Sequence, residues 1–297
     1  MLKAIVLSGL ILTLLVIGCR PVSIEEKTQY SVLFDDFNYI DSSDSTLTGF
    51  GWEIREGSGG PGVKGATWKS DLAAFENDPN LSGNKWLSLR ASTKGKARNT
   101  FQAEISHKLP VLEGTYAALI YFTDSPDTGP DGDRINQTFF AISPLAFDME
   151  PDYSELDFAE YLPNGGWGET KNTLWMTSWE TYQNSPWIQD SESMTISQSF
   201  EGWHLISATV AKGEIHYYID GIRQTTHGGN FYPEQGMYIS FNTWFLDGGL
   251  IESQTFRSYK QRVDWVYFTE SVTEDHQNLS SIIASLRKQG ISRRNDF

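Results

Sequence analysis

Residues 155–160 read ELDFAE, placing carboxylates at offsets 0, 2 and 5 among strand-forming residues. In a regular strand Glu155 and Asp157 share a face and Glu160 points to the other. A β-bulge around Phe158 and Ala159 would insert one extra residue and return Glu160 to the face of the first two. Three acids on one surface repel one another, which raises at least one pKa toward the range of a proton donor near neutral pH. That split suits glycoside hydrolysis, in which one carboxylate attacks the anomeric carbon while a second, about 5–5.5 Å away, serves as acid and then base. The third, Asp157, would orient the nucleophile or share its proton. The competing reading is a solvated outer face of an antiparallel sheet, on which the acids do nothing.

The surrounding composition favours a cleft. Tyr153, Leu156, Phe158 and Tyr161 enclose the acids, and Trp167, Trp175, Trp179 and Trp187 follow within a short stretch, four of the chain's 10 tryptophans. Indole faces stack on the C–H faces of sugar rings while neighbouring polar groups bond the hydroxyls. Taken singly, each tryptophan is more often a core residue than a sugar platform, and it is the clustering that favours a cleft.

These residues must be carried by strands. Short β-rich runs bounded by turn residues are expected at 32–37, 85–91, 100–108, 115–123, 135–142, 171–179, 203–211, 214–219, 236–244 and 262–268. A Gly, Pro and Asp segment at 124–133 and a second loop at 163–170 interrupt the series and would frame a site. So many strands without intervening helices indicate two packed antiparallel sheets. Only the end differs: Leu279, Ile282, Ile283 and Leu286 recur at helical spacing before Gly290, predicting a short helix docked on the sandwich. For Arg293 and Arg294 the alternatives are a basic tip touching the acidic body or a mobile tail.

The N-terminus reads as a processing segment. Lys3, the apolar run 4–17 and the small residue Gly18 before Cys19 resemble a bacterial lipoprotein signal, cut before Cys19 with lipid added to its thiol. The run is shorter than the about 20 residues of a membrane helix; the alternative is an ordinary secretory signal with a coincidental cysteine. The organisation expected is a signal over 1–18, a polar tether over 19–29, one catalytic domain over 30–270, and a helix and tail over 271–297. Cleavage leaves 297 − 18 = 279 residues. Cys19 is the single cysteine, so no intrachain disulfide can form and the fold rests on packing.

The net charge is −15, and −15 − 1 = −16 once Lys3 is removed. Such a surface repels polyanions, which argues against nucleic acid and, more weakly, against sulfated or uronic polysaccharides. A neutral glycan is the expected partner, the protein is expected as a monomer, and the membrane is expected to be reached only through lipid on Cys19. Export to the cell envelope, at the outer membrane or cell surface, follows from the same signal.

Taken in order, several segments resemble glycoside hydrolase family 16. ELDFAE is similar to that family's bulged catalytic signature, FDDF from Phe34 to its first strand, WHLISATVAKGEIHYYIDG from Trp203 to Gly221 to a characteristic strand pair, and Asp264 and Tyr267 to its closing strand. The resemblance implies an all-β jelly-roll sandwich of two curved antiparallel sheets, with Glu155 as nucleophile, Asp157 assisting and Glu160 as acid/base. It also implies substrate contacts from Tyr121 or Phe122, which would replace a tryptophan the family carries before the catalytic strand. Trp175 or Trp179 would stand where relatives often have a histidine, and Asn242 and Trp244 would face the cleft. His204 resembles a position that usually serves as a structural hydrogen-bonder. No cofactor is implied, although some relatives hold a structural calcium. Two further classes compete: a non-catalytic sugar-binding sandwich, which both glutamates argue against, and a polysaccharide lyase. A transglycosylase would use the same residues as the hydrolase.

Overall fold

A computed structural model describes residues 30–272 and 275–297, so the expected signal and the whole of the expected tether, Cys19 included, lie outside the described residues. The chain forms two antiparallel sheets packed face to face. One runs, in hydrogen-bonding order, Trp52–Ile54, Thr100–Val111, Met237–Phe245, Ile135–Ile142, Glu155–Leu162, Thr173–Asn184 and Trp187–Ile196. The other runs Ile222–Gly228, Glu214–Ile219, Gly202–Ala211, Gly114–Phe122 and Arg257–Thr269. Beyond this last strand, Lys85–Thr93 pairs with its first half and Val32–Asp35 with its second.

The period of two in these strands sorts side chains between core and surface. In Gly114–Phe122, Ala118, Ile120 and Phe122 enter the central core, while Leu119 and Tyr121 face outward. Leu156, Phe158 and Tyr161 of the acidic strand point inward in the same way. Phe158 lies between Tyr116 and Phe139, with ring centroids 4.9 and 4.7 Å away. This anchors the bulge from below; truncating such a ring costs about 3–5 kcal/mol.

Several expectations change in detail. The strand expected at 171–179 continues to Asn184 and turns back as Trp187–Ile196. That partner is an edge strand with mostly exposed side chains, so it lacks the apolar alternation by which strands are read. The short Ser45–Phe50 helix, capped by the Asp44 side chain, was also not expected. The C-terminal helix spans Leu279–Lys288 and buries Leu279, Ile283 and Leu286 against Phe34, Leu205 and Trp265; Ile282, expected on that face, is exposed instead. Arg287 fixes the helix through Asp264 at 2.9 Å. Arg293–Asn295 is a short strand paired with residues 33–35, and Arg293 lies over the Tyr39 ring, so the basic end does contact the body. No described helix is long and apolar enough to cross a membrane.

Candidate active site

The bulge sits where the spacing of the acids requires it. Against the strand on one side, Asp157 opposes Thr177 and Glu160 opposes Trp175, so three steps on the acidic strand match two on its partner. On the other side Asp157 opposes Phe140 and Ala159 opposes Phe139. Directly opposed residues share a face. Glu155, Asp157 and Glu160 therefore stand in one row beside Trp179, Thr177 and Trp175, on the outer surface of the first sheet.

Each acid has a different partner. Tyr153 donates its hydroxyl to Glu155 Oε2. Trp179 donates its indole N–H to Asp157 Oδ2 at 2.7 Å. Asn136 donates to Glu160 Oε1 at 2.8 Å. Asp157 is buried at 5% exposure, whereas Glu155 and Glu160 are half-buried. Burial is the main force raising all three pKa values. It takes Asp157 to about 7 against the opposing pull of the Trp179 hydrogen bond. Glu155 and Glu160 are pushed well above the usual carboxylate range, by burial first and by the charge of Asp157 second. Burial and mutual repulsion thus favour retention of a proton within the row.

Aromatic residues gather beyond both ends of the row. At the Glu155 end, Trp179 meets Tyr182 and Trp187 at 6.1 and 6.3 Å. At the Glu160 end, Trp167 meets Trp175 and Trp244 at 5.7 and 6.2 Å. Of the residues expected to contact substrate, Trp175 and Trp179 flank the acids and Trp244 lies deep at 7% exposure. Asn242 shares the face two strands away, but its amide is occupied: it accepts from Thr138 and donates to Glu104 at 3.2 Å. Glu104 is held in turn by Arg55 at 3.1 Å, whose guanidinium lies 4.3 Å above the Trp68 ring.

Tyr121 is a correction. It belongs to the second sheet, where it opposes Trp203 and Arg262 on the outward surface, across the core from the acids. Its neighbour Phe122 is fully buried in the core, so neither residue supplies the expected ring. His204 bonds Asp220 at 2.8 Å, away from the acids, in keeping with a structural role. Asn136, Glu104 and Arg55 were not singled out in the sequence because only strand pairing places them on this face. Tyr153 was named among the residues enclosing the acids, and the structure adds its bond to Glu155. Among the described residues no group of three or more His, Cys, Asp or Glu could hold a metal ion.

Known proteins share this architecture. No protein-family model matches the chain, and no curated protein matches it. Solved structures do. A glycoside hydrolase family 16 endo-glucanase from Bacteroides ovatus in complex with G4G3G-2F-DNP aligns over 78% of this chain and 98% of its own, with a TM-score of 0.59 at 15% identity. The fold is that of family 16. A β-1,3-1,4-glucanase (lichenase) from a mouse hindgut metagenome aligns over 80% and 98%, with a TM-score of 0.56 at 20% identity. The catalytic domain of an endo-1,3-β-glucanase (laminarinase) from Thermotoga petrophila RKU-1 aligns over 82% and 98%, with a TM-score of 0.59 at 13% identity. The likeness extends to the all-β jelly roll; among the described residues the longest helix is the C-terminal Leu279–Lys288.

Proposed function

We propose that the protein is a retaining, endo-acting glycoside hydrolase that cleaves a neutral β-glucan. The observation that carries this reading is the bulge that sets Glu155, Asp157 and Glu160 in one row, each with a different hydrogen-bond donor. Glu155 attacks the anomeric carbon through its free oxygen while Glu160 gives its proton to the departing glycosidic oxygen. An ester between sugar and Glu155 results. Glu160, now anionic, removes a proton from water as that water attacks the same carbon, the ester bond breaks, and Glu155 is regenerated. Asp157, bonded to Trp179 and unable to ionise freely beside Glu155, tunes the nucleophile's charge.

The substrate class draws on the neighbours, which include a β-1,3-1,4-glucanase and an endo-1,3-β-glucanase. The acidic surface supports a neutral polymer over a polyanion. Aromatic clusters beyond both ends of the acid row suit a chain that continues on either side of the cleavage point, hence endo action. Lipid on Cys19 would tether the enzyme to the cell envelope; Cys19→Ser should abolish fatty-acid labelling and release the protein from membranes, and persistent labelling would end that part of the proposal.

The test of the activity is product release by the purified protein from laminarin, mixed-linkage glucan, xylan, galactan, agar and carrageenan, with Glu155→Gln as control. Cleavage of a β-glucan that disappears in the variant is the expected result. Binding without cleavage would instead favour a lectin-like sandwich.

A further inference from the structure

Beyond Glu160 the first sheet ends in a recess of about 340 Å³ lined by Gly62, Arg134, Trp167, Trp244, Leu246 and Asp247. Three observations indicate that it is built for a ligand. The first is backbone geometry. Gly166 and Glu169 exchange hydrogen bonds of 3.0 and 2.9 Å around a tight turn whose central residues, Trp167 and Gly168, both have positive φ, +50° and +98°. That is the pattern of a type I′ turn, whose central positions are dominated by Gly, Asn and Asp. A tryptophan there is held against a cost of about 1–2 kcal/mol. Strain of this kind persists where the surroundings fix it and clusters at functional sites. Here the surroundings do fix it: Asn164 bonds Asp131 and the Asp133 carbonyl, and a Cβ on Gly166 would meet Leu162 and Leu246 at 2.4 Å.

The second observation is what the strained position presents. Trp167 is 46% exposed although its ring contacts Trp175 and Trp244. The third is unmet hydrogen-bonding capacity. The buried indole N–H groups of Trp175 and Trp244 and the buried Oδ1 of Asn136 have no partner among the described residues. Buried polar groups are ordinarily paired, and of these three residues Trp244 lines the recess, so its unpaired N–H is a donor that a ligand there would take up. At the rim, exposed Arg134 and Asp247 form no ion pair or side-chain hydrogen bond among the described residues. Together they offer donors and acceptors, the combination that reads sugar hydroxyls.

We propose that Trp167, Trp244, Arg134 and Asp247 form a subsite for one neutral sugar ring of the glycan, beyond Glu160, with Trp167 as its stacking wall. This rests on the glycosidase reading and specifies which residues fix the chain's position relative to the acids. A neutral ring fits better than a charged one because Asp247 offsets Arg134 within the same recess.

The test uses Trp167→Asn, because asparagine tolerates the turn geometry and the variant should fold at least as stably as the parent. Affinity for β-1,3- and mixed-linkage glucan hexasaccharides is measured by calorimetry in the inactive Glu155→Gln background, and KM and product lengths are measured in the active one. The expected result is affinity reduced about tenfold, KM raised to match, and a shifted distribution of product lengths, with Tm unchanged or higher. Unaltered affinity, KM and products in a variant whose parent cleaves glucan would overturn the subsite alone. Weakened binding in a protein that binds but never cleaves would keep the subsite and overturn the hydrolase reading. A parent that neither binds nor cleaves any of these glucans would overturn both.

Discussion

Replacing Glu155 by Gln should do two opposite things, and the structure sets both magnitudes. Glu155 and Asp157 are two residues apart on one strand face, about 6.6 Å between Cα atoms. Two charges at that separation repel by about 2.5 kcal/mol at an effective dielectric of about 20. Glutamine keeps the shape, removes that repulsion and the burial of a charge, and weakens the bond from Tyr153 by about 1 kcal/mol. The net gain is about 1–2 kcal/mol. For a domain of this size it corresponds to a Tm rise of roughly 2–4 °C. The sign depends on pH. The folded pKa of Glu155 is raised above the ordinary 4.5, so its cost is absent below about 4.5 and grows as pH rises through the folded value. The Tm difference between variant and parent should therefore be small at pH 4 and largest at pH 8, while turnover falls at least about a thousandfold with loss of the nucleophile. Thermal melts at both pH values, paired with reducing-sugar release from glucan, read the two effects. A variant that is no more stable at pH 8 than at pH 4 relative to the parent would refute the electrostatic account, and retained turnover would refute the role of Glu155.

Glu160→Ala should lose turnover on polymer but regain part of it on activated aryl glycosides when azide is added, with a glycosyl azide as product; absence of that adduct counts against an acid/base role. Trp179→Phe keeps a ring beside the acids but deletes the 2.7 Å bond to Asp157. Because that bond lowers the Asp157 pKa, the acidic limb of the kcat/KM profile should move to higher pH and turnover should drop about tenfold. Asp133→Asn leaves Arg257 buried without its counter-charge, since both side chains are fully enclosed. Urea denaturation should show a loss of about 3–5 kcal/mol, and a loss under 1 kcal/mol would mean that the pair contributes little.

Much of this site could be read along the chain because its central device is local. Offsets 0, 2 and 5 within ELDFAE require a bulge to align the acids, and strand alternation then sets their face. The same alternation identified most of the strands, since half-buried strands announce themselves by period. Exposed Trp187–Ile196 carries no such signal, and its pairing with Thr173–Asn184 was missed for that reason. Tyr121 shows the limit of resemblance. A ring was expected near the acids because relatives place one at that point in the chain, yet the strand that carries Tyr121 lies in the opposite sheet with that position facing out. Residues such as Asn136, Glu104 and Arg55 become neighbours of the site only through pairings between strands distant in sequence. By itself, then, the sequence determined the spacing of the acids, their bulge and the all-β class, because these depend on spacing along one strand and on composition. Only the tertiary structure decided which partners each acid has, which tryptophans flank them and which aromatic faces away, because those depend on strand order across a sheet, and no local pattern encodes it.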